Sequence, residues 1–283
     1  MNLSHGFLPG GFPGGGKLQK SFGYKPVTGA LELMLSEAVS SEGTHPARVT
    51  AVLLQALDFL GDEEPPSPSK VWGLSVGDRQ FLMRRLAVHM DDRLLWLSAA
   101  CSHCGEFFDV PVRHSLLPVK EAGDGYPQKV VETSMGFLRI RVPTGADQEA
   151  IASIPDEEEA LRVLLHRIAR REEDDEGIES ARLSEEEMTC LEMEVEAMSP
   201  EVASHVLTHC PACEKANRVP VSPYVCMEQP QSQLFEEIHS LAFWYHWSEQ
   251  SILELPRRRR KIYLQMIDRS RGLYSGSQFL KLG

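Results

Sequence analysis

The chain has 283 residues, 42% hydrophobic and 25% charged, the composition of a globular protein long enough to bury one large core or two modest ones. No stretch reaches the eighteen or so apolar residues of a membrane span, so no membrane segment is expected. The net charge is −12, but the segment from Asp147 to Glu201 holds nineteen acidic and five basic side chains, a balance of −14 that leaves +2 for the remainder. That acidic block disfavours non-specific nucleic-acid binding through its own face.

The first 28 residues are rich in glycine, proline and aromatics: Phe7-Leu8-Pro9-Gly10-Gly11-Phe12-Pro13-Gly14-Gly15-Gly16, then Phe22-Gly23-Tyr24. They carry too little periodic apolar content to fold alone and read as a flexible arm. It is either a disordered terminus or one whose Phe7, Phe12, Phe22 and Tyr24 dock on a neighbouring subunit. Residues 29–93 read as helical. Leu31, Met34, Leu35 and Ala38 fall at i, i+3, i+4 and i+7, as do Val49, Val52, Leu53 and Ala56 in a second helix extending to Leu60. Gly61 to Ser69 is a connector, and Ser75 or Asp78 can cap a helix carrying Phe81, Leu82, Leu86 and Met90. An apolar strand then runs from Leu94 to Ser98.

That strand delivers the chain to Cys101-Ser102-His103-Cys104, and a second Cys-x-x-Cys follows at Cys210-Pro211-Ala212-Cys213. Each runs into a strand-like stretch, Gly105 to Val112 and Ala216 to Val221. Two such pairs supply the four soft ligands that zinc takes in a tetrahedral structural site. A knuckle followed by a strand is half of a zinc ribbon, so the expected cofactor is one structural Zn²⁺ held by Cys101, Cys104, Cys210 and Cys213. The separation of about a hundred residues is far longer than in a compact site. Two other readings stand beside it: buried thiols, and a thioredoxin-like redox pair, which the strand context of both knuckles opposes. The start of the chain shows no charged region followed by an apolar run, so a signal peptide is not expected and the thiols should stay reduced in the cytoplasm. Cys190 and Cys226 read as buried structural thiols, and His103 and His209 lie close enough to the knuckles to substitute as ligands.

Between the knuckles, Lys129 to Thr133 and Phe137 to Val142 read as a hairpin turning at Met135-Gly136, with Asp147 starting a helix. The acidic segment then forms a helical hairpin, Leu161, Leu164, Leu165 and Ile168 lining its first face, and Ser184 with Glu187 forming a capping box for its second helix. After the second knuckle come an aromatic-rich helix from Leu234 to Trp247, a short helix capped by Ser248, and a last helix opened by Pro256. The fold expected is α+β: a mainly helical chain with a split zinc-ribbon-like β module (94–146 and 205–230), an acidic helical hairpin insertion (147–204), a C-terminal helical region (231–283) and the Gly-rich arm.

Arg257, Arg258, Arg259, Arg260 and Lys261 stand at the start of that last helix, where the helix dipole disfavours positive charge. They read as a solvated or internally paired face, as a dock for an acidic protein surface, or as a phosphate grip. No Gly-x-Ser-x-Gly, Walker loop, His-Glu-x-x-His or dinucleotide fingerprint occurs. A zinc with four cysteine ligands has no open position for chemistry, so the chain reads as a non-enzyme without a small-molecule substrate.

Several phrases together resemble the baseplate hub and assembly proteins of contractile phage tails and related contractile injection systems. They are Val76-Gly77-Asp78-Arg79-Gln80-Phe81-Leu82, the two knuckles, Arg141-Val142-Pro143-Thr144-Gly145-Ala146-Asp147, and Tyr245-His246-Trp247-Ser248 followed by Leu255-Pro256-Arg257-Arg258-Arg259-Arg260-Lys261. The resemblance implies a structural protein made in the cytoplasm that joins other baseplate, hub or tail proteins, or an assembly factor that leaves before completion. A reading from another class is a nucleic-acid-binding zinc-ribbon regulator using Arg257 to Lys261.

Overall fold

The structure is a computed structural model that describes residues 4–134, 136–172, 183–228 and 232–272. It is an α+β fold of helices and several small antiparallel sheets. The expected turn residue Met135, part of the break after Arg170 and the extreme C-terminus lie outside the described residues.

The N-terminal stretch departs from the expected arm. Strands β1 (His5–Gly14) and β2 (Lys17–Tyr24) pair as a hairpin, and β2 pairs in turn with β3 (Leu57–Leu60). Phe12, Phe22 and Tyr24 are buried in the chain's own largest core, among Leu53, Leu57, Leu60, Leu82 and Leu86; only Phe7 faces solvent. Three of the four aromatics assigned to a neighbouring subunit thus fold this one. The glycines and prolines that seemed to preclude structure shape the strand instead. The β1–β2 register shifts between Phe7 and Phe12, and the amides of Gly10 and Gly11, released from the ladder, donate to the buried carboxylate of Asp78 at 2.8 and 3.0 Å. A side chain at Gly10 would strike Asp78 and the Tyr126 hydroxyl, so the close approach requires glycine there.

Helices α1 (Gly29–Ser40) and α2 (His45–Ala56) follow the expected periodicity, capped by Thr28 and Thr44. The second ends at Ala56, short of Leu60, because Leu57 and Leu60 leave the helix to pair with β2 and bury in the same core. A short helix α3 (Pro68–Gly73) precedes α4 (Val76–Met90), which is capped by Ser75. Arg79, buried on α4, donates to the carbonyls of Val71 and Pro46 and to the Thr50 hydroxyl, tying α2, α3 and α4 together. Burial pushes its pKa down to about 10.

Strands β4 (Leu95–Ala100) and β5 (Phe107–Val112) form one hairpin, and β6 (Val119–Lys120) pairs with the later β10 (Glu201–Val202). The hairpin of β7 (Gln128–Thr133) and β8 (Gly136–Arg141) gains a third strand, β9 (Ala169–Arg171). Helix α5 (Gly145–Ile151) is capped by Thr144 rather than Asp147, which sits at the third position of a capping box. Asp147 is fully buried and accepts from Arg141, Arg167 and Thr144. Burial would raise its pKa, but hydrogen bonds from Arg141 and Thr144 hold the carboxyl well below the usual carboxylate range.

The acidic segment contains α6 (Glu157–Ile168) and α7 (Glu185–Met198), the latter opened by the Ser184–Glu187 capping box. Between them β9 returns to the sheet, so the segment joins the β7–β8 sheet as well as forming helices. Leu191 and Met198 of α7 bury with Leu138 and Ile140 of β8. Strands β11 (His205–His209) and β12 (Ala216–Pro220) make the last hairpin. Helices α8 (Ser232–Tyr245), α9 (Glu249–Leu253) and α10 (Arg257–Ser270) then close a small helical cluster around Leu241, Ile252 and Ile267. Among the described residues no helix is long and apolar enough to cross a membrane.

Candidate metal centre

Each Cys-x-x-Cys is the tip of a hairpin, β4–β5 for the first and β11–β12 for the second. The two tips are built alike. The amide of Gly105 donates to the Cys101 carbonyl at 3.0 Å and that of Glu214 to the Cys210 carbonyl at 2.9 Å; each first cysteine donates in turn to the residue five places on, Glu106 or Lys215. Turning back this tightly puts the residue after each pair at positive φ, 77° at Gly105 and 57° at Glu214. The turn also aims backbone amides at sulfur: those of His103 and Ala212 approach Cys101 Sγ and Cys210 Sγ at 3.4 Å.

The hairpins pack face to face. Alternation buries Val110 and Val112 of β5 against Val219 of β12 and Val221 just beyond it, with Leu97, Ala99, Phe108 and Val206 around them. This packing brings the four thiols of Cys101, Cys104, Cys210 and Cys213 within 4.8 Å of one another. Cys101 Sγ lies 3.7 Å from Cys213 Sγ, and Cys104 Sγ lies 3.7 Å from Cys210 Sγ, so the close pairs cross between the hairpins. Four thiols in this arrangement can hold a metal ion. Cys104 faces solvent while Cys101 and Cys210 are buried, which leaves one side open for entry.

The electrostatics favour a cation. The Cys104 amide and further donors from His103 and Asn217 draw the Cys101 thiol down to about 6 against its burial. The Glu106 amide acts in the same direction on Cys104, but burial and the thiols of Cys101, Cys213 and Cys210 push it up to about 12. The Cys101 sulfur therefore ionises more readily than the Cys104 sulfur beside it. A positive ion among them would favour the ionised form of each.

Asn217 was not among the expected site residues. Buried on β12, it donates Nδ2 to Cys101 Sγ at 3.5 Å and accepts the Ser102 amide at Oδ1 at 2.9 Å. Its signal in sequence was slight, a polar residue on the inward face of a strand that alternates toward valine. The close set is made of cysteines alone; His103 and His209 are not part of it. Of the two remaining cysteines, Cys226 is half-buried against the largest core, with its thiol pushed up to about 12 by burial, while Cys190 is exposed on α7, contrary to the buried thiol expected.

No family model, curated protein or solved structure matches the chain.

The basic run divides by helix face. Arg260 is fully buried and donates to Glu237 at 3.1 Å, to Glu32 at 2.6 Å and to the Leu255 carbonyl. Arg257 is buried between Glu32 and Asp91, both at 3.9 Å, and Lys261 reaches Asp91 at 3.0 Å. These three join α10 to α1, α8 and the end of α4. Arg258 and Arg259 are exposed.

Proposed function

We propose that this chain is a zinc-stapled, non-enzymatic structural component of the baseplate or hub of a contractile tail or injection system. The observation that carries the reading is the convergence of four thiols from two distant hairpins. Zinc–sulfur bonds of about 2.3 Å in a tetrahedron require sulfurs about 3.8 Å apart, and two pairs across the hairpins stand at 3.7 Å. Such a set fills all four positions of a zinc ion. It would join β4–β5 to β11–β12 in a zinc-ribbon-like module and leave no position for substrate.

The resemblance falls on the residues that hold the fold. Asp78 accepts the β1 amides, Arg79 joins three helices, Asp147 gathers Arg141 and Arg167, and Arg260 gathers Glu32 and Glu237. These buried charges are spent on architecture, which supports a shared scaffold with a structural role.

Two measurements test the reading. Metal analysis of the purified chain should give about one zinc per chain; none, with all six thiols freely titratable in the folded protein, would remove the staple. Quantitative mass spectrometry of gradient-purified contractile particles should give a fixed, salt-resistant copy number. Presence only in precursor fractions would make it an assembly factor, and absence from both would remove the baseplate reading.

A further inference from the structure

Two helix faces are left to solvent with opposite charge. On α10 the exposed side chains include Arg258, Arg259, Ile262, Gln265 and Met266, which at about 100° per residue fill one arc. Ile262 and Met266 are 43% and 49% exposed, and no acidic residue falls on that arc. On α7 the exposed side chains include Glu185, Glu186, Glu192, Met193 and Glu196, with Met193 64% exposed. Each face thus sets an exposed methionine beside exposed charge, basic on α10 and acidic on α7.

Several neighbouring charges on both helices are committed within the chain. Glu32, Glu237 and Asp91 take Arg257, Arg260 and Lys261. On α7, Lys129 pairs with Glu194 and Glu187 closes the capping box, while Lys120 reaches the backbone carbonyl of Glu196 and not its carboxylate. Arg258 and Arg259 stand in the first turn of α10, where the helix dipole opposes them, so an anionic surface would relieve that cost. The C-terminal half of α7, with Glu192 and Glu196, is such a surface. Both faces are exposed in the single chain, so they do not meet within it.

We propose that α10 of one molecule docks antiparallel on α7 of a second copy of this chain. Arg258 and Arg259 would lie against Glu196, with Glu192 one turn away, and Ile262 against Met193. Because each copy carries both faces, the pairing is reciprocal, and two such seams close a two-fold dimer. Opposed helices also set their dipoles antiparallel. The inference is independent of the baseplate reading.

Light scattering during size exclusion of the metal-loaded full chain tests it. At low salt the wild type should show twice the chain mass, falling toward one chain mass as salt screens the seam. Arg258→Glu with Arg259→Glu should run at one chain mass, and so should Glu192→Arg with Glu196→Arg. An equimolar mixture of those two variants should return to twice the mass, since only the mixture restores opposite charge in both seams. Ile262→Asp, a single exposed change, should also give one chain mass. A wild type at one chain mass at low salt would overturn the proposal. So would a dimer indifferent to these changes, or charge-reversed variants that stay apart on mixing while melting like wild type.

Discussion

Asn217 on the second hairpin donates to the sulfur of Cys101 on the first, 116 residues away in sequence. The same side chain accepts the Ser102 amide, so one residue orients a ligand and fixes the turn that carries it. Groups of this kind tune metal affinity without touching the metal. Asn217→Ala should keep the metal-to-chain ratio and weaken affinity about 10- to 100-fold. Competition against a chelating indicator reads this directly, and an unchanged affinity would make the contact incidental.

Metal removal should destabilise the chain. The hairpins share only a small apolar cluster around four valines, too little to hold two-stranded sheets together in water. Stripping with a chelator should lower the melting temperature, and Zn²⁺ should restore it where Mg²⁺, which prefers oxygen ligands, does not. Cys101→Ser and Cys210→Ser should each reproduce the stripped state. A mutant that melts like the loaded wild type would remove a shared site.

Asp78 is a second point of dependence. It is fully buried and accepts from Gly10, Gly11, the Ser75 hydroxyl and Tyr126. Burial raises its pKa while these donors pull it back. Asp78→Ala orphans several buried donors at once and should cost about 3 kcal/mol or more. Urea unfolding measures it; a loss under about 1 kcal/mol would mean that water replaces the carboxylate.

Arg260 holds two carboxylates, Glu32 and Glu237, from two other helices. Arg260→Met leaves the buried Glu237 without its partner and Glu32 with only Arg257 at 3.9 Å, and should cost about 3–5 kcal/mol. Adding Glu32→Gln and Glu237→Gln should recover much of the loss. If the triple variant were no more stable than the single one, the cost would belong to packing and not to charge.

The Asp147 carboxylate sets an acid limit. Its folded pKa lies below that of the unfolded chain, so its contribution is present above the ordinary carboxylate value of about 3.9. That contribution is lost as pH falls from there through the folded value. Asp147→Asn should lower stability at neutral pH and flatten its pH dependence below about pH 4. Chemical denaturation across that range checks this, and parallel curves for the two proteins would refute it.

What the sequence made legible was local. Helices α1, α2 and α4, the Ser184 capping box and the strand before the first knuckle follow from periodicity and caps, which depend on near neighbours. The two knuckles were legible because the spacing of a Cys-x-x-Cys is itself local. The N-terminal strands were not. Gly10 and Gly11 look like breakers until Asp78, far along the chain, accepts their amides, and Phe12, Phe22 and Tyr24 look like anchors until a core forms around them.

The sequence by itself determined the ligand chemistry: four thiols in two tight turns, each turn able to present its pair to a metal. Only the tertiary structure decided that the pairs meet, because their approach depends on two hairpins packing inward-facing valines over a long separation. The same division runs through the basic run on α10. Its charge is written in five consecutive residues, but the helix turns Arg257 and Arg260 inward toward Glu32, Glu237 and Asp91, lets Lys261 reach Asp91, and leaves Arg258 and Arg259 to the solvent. Residue type sets which bonds a side chain can make, and only packing over long separations sets which of those partners it meets.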